Sequence, residues 1–412
     1  MKKKLLFILP WLPYPLNTGG HQAIFNGIIA VKDDFDIYIT YTTSGGKGVS
    51  EKAFLQYVPN AHLLPYIPQV NRFSIHHVLH ALQWRICGLF KERPSVDEQM
   101  CQQWMDDLLG NISITRSAWI SHIKNLIEQY HFDIVQVEMP WLITSVLALP
   151  KDVKKVFVHH ELGFVKRQLE LQNSSKLEYA KISKAFVDFA EVGLLNLYDQ
   201  IITLSTVDSE KLRLQGVTIP VNSSFSIVNT SDCQPVIGDG HHLVFIGPDS
   251  HSPNVAGIKW FLENCWMKLK EYDSNYRLNI IGNWRKENMT AIKGSFPDVE
   301  FLGFVDDLHS VIKGRVMIVP ITIGSGIRMK ILEACSSYVP FVSTTVGAEG
   351  IPVHDGVHCL LADDPEAFVQ KILQLRDVRL QNELAGNAQK LIAENYSIEA
   401  LRQNRLSIYS QI

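Results

Sequence analysis

The chain has little cysteine, and none of it is organised. Six cysteines, at 87, 101, 233, 265, 335 and 359, are spread over 412 residues with no CxxC pair and no histidine at zinc-finger distance. Neither a disulfide framework nor a structural zinc site is expected; reduced, isolated thiols are. Charge of one sign is equally scarce, with 39 basic residues against 42 acidic ones and a net charge of −3. Nucleic-acid binders need a basic surplus to neutralise phosphate, so that class of partner is set aside. No apolar run reaches the roughly 20 residues of a membrane span. The opening Met1-Lys2-Lys3-Lys4 and Leu5–Leu9 imitate a secretory signal. Pro10, Pro13 and Pro15 interrupt it, however, and no small-residue cleavage site follows. The segment reads better as a first buried strand of a cytoplasmic protein.

What is present is an alternation of short apolar runs and helix-length segments. Lys4–Leu9, Asp36–Tyr41, Asp133–Glu138, Lys155–His159 and Gln200–Leu204 are rich in Val, Ile, Phe and Tyr with little polar alternation. Strands look like this when helices cover both faces of a sheet. The second half continues with Leu243–Ile246, Arg277–Ile281, Glu300–Leu302, Val316–Pro320, Phe341–Ser343 and Cys359–Leu361. After the first of these, Ser252 is expected as N-cap with Pro253 at the first helical position. The pattern predicts an α/β protein of two Rossmann-like, doubly wound domains facing each other across a cleft. Residues 1–235 would form the first domain, with an unusual helical insertion at about 68–130. Residues 241–395 would form the second, and a polar stretch around Ser231–Gly240 the linker. A last helical segment, 396–412, could complete the first domain.

The most informative stretch is Val319-Pro320-Ile321-Thr322-Ile323-Gly324-Ser325-Gly326-Ile327-Arg328-Met329-Lys330-Ile331-Leu332-Glu333. A strand stops at Pro320, a small-residue loop follows, and a helix is expected from near Ile327. Gly324 and Gly326 let a ligand approach the main chain. The helix start offers free N–H groups and a positive dipole end, and Arg328 and Lys330 add charge there. Such a site suits a diphosphate, and Glu333 on the same helix face as Lys330 suits a ribose diol. A glycine turn followed by a surface helix with a Lys–Glu pair remains the plainer reading of these residues alone. On a regular helix Arg328 and Lys330 point about 200° apart. They can meet one phosphate only if Arg328 still belongs to the loop.

Several motifs in register resemble the group-1 glycosyltransferases, retaining nucleotide-sugar enzymes of the GT-B fold. Phe245-Ile246-Gly247-Pro248-Asp249-Ser250-His251-Ser252-Pro253-Asn254 with Trp260-Phe261 looks like the opening of that family's C-terminal domain. Leu278–Gly282, Val299–Val305, Gly324–Ala334, Thr344–Ile351 and Leu361–Asp364 follow in its order. The resemblance covers roughly residues 241–375 well and is looser before them, where Pro13–Gly20 and Phe132–Glu138 match best. It implies that Glu333 holds the donor's ribose and that Arg328 and Lys330 face the diphosphate. Ser325, Ile327 and Gly247 would belong to the same donor site. It further implies that Gly303, Phe304 and Val305 read the nucleobase through their backbone. Gly19 and Gly20 would form the glycine loop reaching the donor from the opposite domain. One departure is plain: Ser325 stands eight residues before Glu333, where many relatives carry a carboxylate.

A second cluster, His159-His160-Glu161, follows a strand at the edge that would face the cleft. His160 resembles a family histidine that contacts the transferred sugar, whereas His159 and Glu161 are candidates for the acceptor. A strand-end cap is the competing reading of all three. Glu138, ending another strand, is a further acceptor candidate. His-His-Glu lacks the i, i+4 spacing of a zinc helix, and no metal or other cofactor is expected. Asp249 and His251 could touch phosphate or only shape their turn. In the insertion, Phe73–Phe90 with Trp84, Arg85 and Lys91 could lie on a membrane and meet a lipid-linked acceptor.

The expected reaction is transfer of a sugar from a nucleoside diphosphate sugar to a glycan or glycolipid hydroxyl, in cell-surface polysaccharide or glycoconjugate synthesis. Fixed N–H groups and Arg328 and Lys330 would stabilise charge on the departing diphosphate without a divalent cation. Retention of configuration is implied by the resemblance alone. A nucleotide-sugar epimerase of the same layout, and a noncatalytic subunit that keeps the pocket, are the alternatives; Ser325 is the best support for the latter.

Overall fold

A computed structural model describes residues 2–16, 18–43, 49–67, 117–172, 177–228 and 235–412. Two sheets carry it, each wholly parallel. The first contains β1 (Lys4–Leu9), β2 (Asp36–Thr42), β3 (His62–Tyr66), β4 (Ile134–Glu138), β5 (Lys154–His159), β6 (Gln200–Thr203) and β7 (Val221–Ser223). Their order is β3-β2-β1-β4-β5-β6-β7. The second contains β8 (His242–Ile246), β9 (Arg277–Ile281), β10 (Val299–Gly303), β11 (Val316–Val319), β12 (Phe341–Ser343) and β13 (Leu360–Leu361), in the order β10-β9-β8-β11-β12-β13. Each order reverses beside its first strand, between β1 and β4 and between β8 and β11. A ligand crevice opens at the carboxyl ends of strands at such a reversal.

The continuous apolar runs have the expected cause. In β1, Leu5, Phe7 and Leu9 enter one core cluster while Leu6 and Ile8 enter the other, so both faces are covered. Every strand expected from the sequence is present with ends displaced by one residue at most. The strands β3 and β7 are additional. After β8 the helix begins at Ser252 itself. His251 occupies the cap position without a side-chain bond, so Ser252 is not the N-cap. That segment runs through a π turn at Leu262–Trp266 into Met267–Tyr272.

The last helix, Ile398–Tyr409, is capped by Ser397 and packs on Gly19–Val31, the helix after β1. Arg402 grips Asp34 with two hydrogen bonds of 2.8 and 2.6 Å. The chain's end therefore rests on the first sheet's layer. Of the expected insertion, Ser117–Tyr130 is a helix that buries Trp119, Ile123, Leu126 and Ile127. Phe73–Lys91 and linker residues 231–234 lie outside the described residues. Among the described residues, no helix is long and apolar enough to cross a membrane.

Candidate active site

The loop from Pro320 to Arg328 leaves the carboxyl end of β11 at the second sheet's reversal point. The helix behind it is Met329–Ser336, starting two residues later than the sequence indicated. Arg328 is its cap residue and has loop geometry, with φ −84° and ψ 89°. The 200° difficulty is thereby removed. The guanidinium of Arg328 folds under the loop, Nη1 donating to the carbonyls of Ser325 (2.5 Å) and Gly326 (2.6 Å). Its Nε and Nη2 are buried and have no partner among the described residues. Gly324, at φ +123°, lies over them: a Cβ there would sit 3.2 Å from Nη2.

Lys330 points into the same crevice from the first helical turn. Its Nζ is 2.8 Å from Asn254 Oδ1 and 3.9 Å above the Phe245 ring. Burial, and then the charge of Arg328, push the Lys330 ammonium well below its ordinary pKa. Asn254 also donates to the Pro248 carbonyl at 2.9 Å. Gly247, at φ +151°, must lack a side chain, because a Cβ would lie 2.5 Å from the Asn254 amide. Asp249 does not face this crevice; it binds Arg285 and Asn288 and shapes its own turn. Glu333 makes no pair with Lys330. Burial raises its pKa, and its Oε1 accepts from Gln22 Nε2 at 3.3 Å, across the crevice.

The first domain closes over this loop. Ser325 Oγ accepts the Leu162 N–H at 2.8 Å, and the Gly326 N–H donates to Asp208 Oδ2 at 3.1 Å. One N–H of the expected cradle is thus already engaged. Gly326, at φ +79°, lies so close to the carbonyl of His160 that a Cβ would come within 2.6 Å of its oxygen. Gly19 and Gly20 are the first two residues of their helix rather than a loop, and Gly19 abuts Met329 across the crevice. Glu161 lies 3.6 Å from His251 on the opposite side.

The His-His-Glu cluster divides. His160 borders the crevice, with Nε2 2.6 Å from Glu138 Oε2. The structure does not bring His159 to the rim: it points the other way from β5 and binds buried Glu191 at 3.0 Å. Burial pushes the Glu191 carboxyl up, but His159 and Arg167 together bring it below the usual range. Glu138 is not at the rim either; it is buried behind His160. Gly303, Phe304 and Val305 stand at the end of β10, where Gly303 has φ +70° and Phe304 is half-exposed. Ile327 is partly buried beside Gly350. Sequence reasoning missed Asn254, Gln22 and Asp208 as members of the site. Ser205-x-x-Asp208 reads as a helix capping pattern, and Ser205 does cap Asp208, which hides its reach across the crevice.

Residues 240–377 match the family model described as Glycosyl transferases group 1. An uncharacterized 44.6 kDa protein in the cps region of Klebsiella pneumoniae is 22% identical, over 95% of this chain and 96% of its own length. Among solved structures, sucrose-phosphate synthase from Thermosynechococcus elongatus has a TM-score of 0.69 at 13% identity, covering 99% of each chain. Anabaena HepE in complex with UDP and glucose has 0.68 at 13%, covering 100% of each. A mutant of S. aureus TarM in complex with Fondaparinux, alpha-GlcNAc-glycerol and UDP has 0.67 at 14%, covering 98% of this chain and 99% of that one. The chain has the GT-B fold of these proteins. With the matched domain, the fold supports a nucleotide-sugar-dependent glycosyltransferase.

Proposed function

We propose that this protein transfers a glycosyl unit from a UDP-sugar to a hydroxyl of a surface-polysaccharide intermediate, with retention at the anomeric carbon. The observation that carries the reading is Arg328, a buried guanidinium with Nε and Nη2 unpaired, beside a Lys330 ammonium that burial has weakened. Arginine keeps its charge when buried, and unmet buried donors are costly. Diphosphate oxygens satisfy both at once. UDP is favoured among donors because TarM and HepE are described as bound to it. The cps-region relative favours a capsule-type product.

As the anomeric bond breaks, negative charge gathers on the leaving diphosphate. Arg328 and Lys330 then interact more strongly with the transition state than with the bound sugar nucleotide. Glu333 takes the ribose diol, the backbone at Gly303–Val305 takes the base, and His160 meets the sugar. Closure of the first domain through Leu162 and Asp208 excludes water, which limits donor hydrolysis. Retention draws its support from the family resemblance. The test is a thermal-shift panel of UDP, GDP, ADP and dTDP, followed by UDP-sugars with glycan acceptors and NMR of the product's anomeric proton. UDP is expected to stabilise the fold most. Absence of any nucleotide response, or full turnover in the Arg328→Glu variant, would sink the assignment.

A further inference from the structure

A strand covered on both faces is normally an unbroken apolar run, and β4 breaks that rule twice on one face. Gln136 and Glu138 point the same way from alternate positions, with exposures of 1% and 2%. Such groups are costly in a sheet core unless each polar atom is met. Here they meet one another and the far end of the chain. Tyr409 of the C-terminal helix is buried against this face. Tyr409 Oη lies 2.5 Å from Gln136 Oε1, Gln136 Nε2 lies 2.6 Å from Glu138 Oε1, and Glu138 Oε2 lies 2.6 Å from His160 Nε2.

The series has a direction. An amide oxygen only accepts, so Tyr409 Oη sends its proton to Gln136 Oε1. Burial holds the phenol up at about 12, so that proton is always present near neutrality. The Gln136 amide must then turn its NH2 toward Glu138. Glu138 is left as an acceptor at both oxygens, and it meets the imidazole as one. We propose that Glu138, backed by Gln136 and by Tyr409 of the C-terminal helix, is a positioning residue that holds His160 in its Nε2–H tautomer. Nδ1 is then the lone-pair nitrogen, and it accepts from a sugar hydroxyl rather than donating to one. What that nitrogen serves rests on the proposed function; the tautomer does not. A connected buried series of this kind, from Tyr409 to His160, rigidifies its members. It makes the last helix, remote in sequence, a support of the crevice.

The test begins without ligand. Nitrogen-15 histidine NMR of the full chain, with His160 assigned by loss of its signals in His160→Asn, should show the Nε2–H form. Glu138→Gln, close in shape but able to donate as well as accept, should populate both tautomers, and Tyr409→Phe should shift the balance the same way. An unchanged tautomer in Glu138→Gln overturns the proposal, whatever that variant does to melting temperature. With UDP-glucose and UDP-N-acetylglucosamine as probes, Glu138→Gln should lower kcat by at least about tenfold, short of the roughly 10²–10⁴-fold carried by a group that itself transfers the proton. KM for the donor should stay within about twofold, since such a loss falls on the transition state. Adding Glu138→Gln to His160→Asn should cost no further turnover; an additive loss overturns the proposal. A wild-type protein that ignores UDP and both sugars would sink the proposed function, while the ligand-free tautomer still decides this one.

Discussion

An ammonium enclosed by protein and facing a second cation is driven to give up its proton, and Lys330 is in that position. A diphosphate arriving beside it would reverse the balance and raise its pKa toward the ordinary lysine range. Between the two values the complex binds a proton that the free protein does not. UDP binding should therefore take up protons, and affinity should fall as pH rises above the free-state pKa. Calorimetry in phosphate and Tris buffers, which differ in ionisation heat, reads the uptake directly, and Lys330→Met should abolish it. Equal heats in both buffers would contradict the assignment. Glu333 gives a second residue-scale test. Its carboxyl is raised by burial, and among the described residues its partner is Gln22, through one long bond. A hydrogen bond involving a charged group contributes about 1.5–3 kcal/mol. Glu333→Ala should weaken UDP by roughly tenfold or more and erase its preference over a 2′,3′-dideoxy analogue. Unchanged UDP affinity in that variant would remove the ribose role.

At the scale of elements, the loop Gly324–Gly326 matters for its backbone more than its side chains. Gly326→Ala places a Cβ at φ +79° and within 2.6 Å of the His160 carbonyl. Backbone strain of this sort costs about 1–3 kcal/mol, and the clash adds to it. The expected outcome is a lower melting temperature together with weaker UDP protection; a variant as stable as wild type would show that the loop can lift away freely. The same scale shows what was legible. Buried strands such as Leu5–Leu9 and Val316–Val319 declare themselves because both faces are apolar. The strands β3 and β7 do not: β3, an edge strand, is partly exposed along its length and contains Pro65, which an edge tolerates, and β7 has Val221 as its one apolar residue. Arg328, Lys330 and Glu333 could be read because one loop and helix carry all three. Gln22 and Asp208 could not, because they reach the site across 311 and 118 residues of sequence. Glu138 and His159 were misplaced for a simpler reason. Strand-end residues point to alternate faces, and which face meets the crevice is decided only by the sheet's packing.

At the scale of the whole molecule, the two domains meet around the crevice through a few polar contacts, and those contacts set how readily it opens. Lys211, on the helix after β6, binds both oxygens of Glu349 in the second domain at 2.8 and 2.9 Å. Each side chain keeps over a quarter of its surface in water, so the pair contributes at most about 1 kcal/mol and is weakened by salt. That is still several-fold in an equilibrium between open and closed forms. A ligand gripped from both sides binds the closed form better and draws the population toward it. Reversing one charge turns attraction into repulsion at the rim without touching Arg328, Lys330 or Glu333. Lys211→Glu should therefore enlarge the radius of gyration in small-angle scattering, most at low salt, and UDP should partly reverse the change. Pairing it with Glu349→Lys should restore the wild-type profile. If neither single reversal alters the scattering, closure is held by the contacts nearer the loop, Leu162–Ser325, Asp208–Gly326 and Gln22–Glu333, rather than by this rim pair.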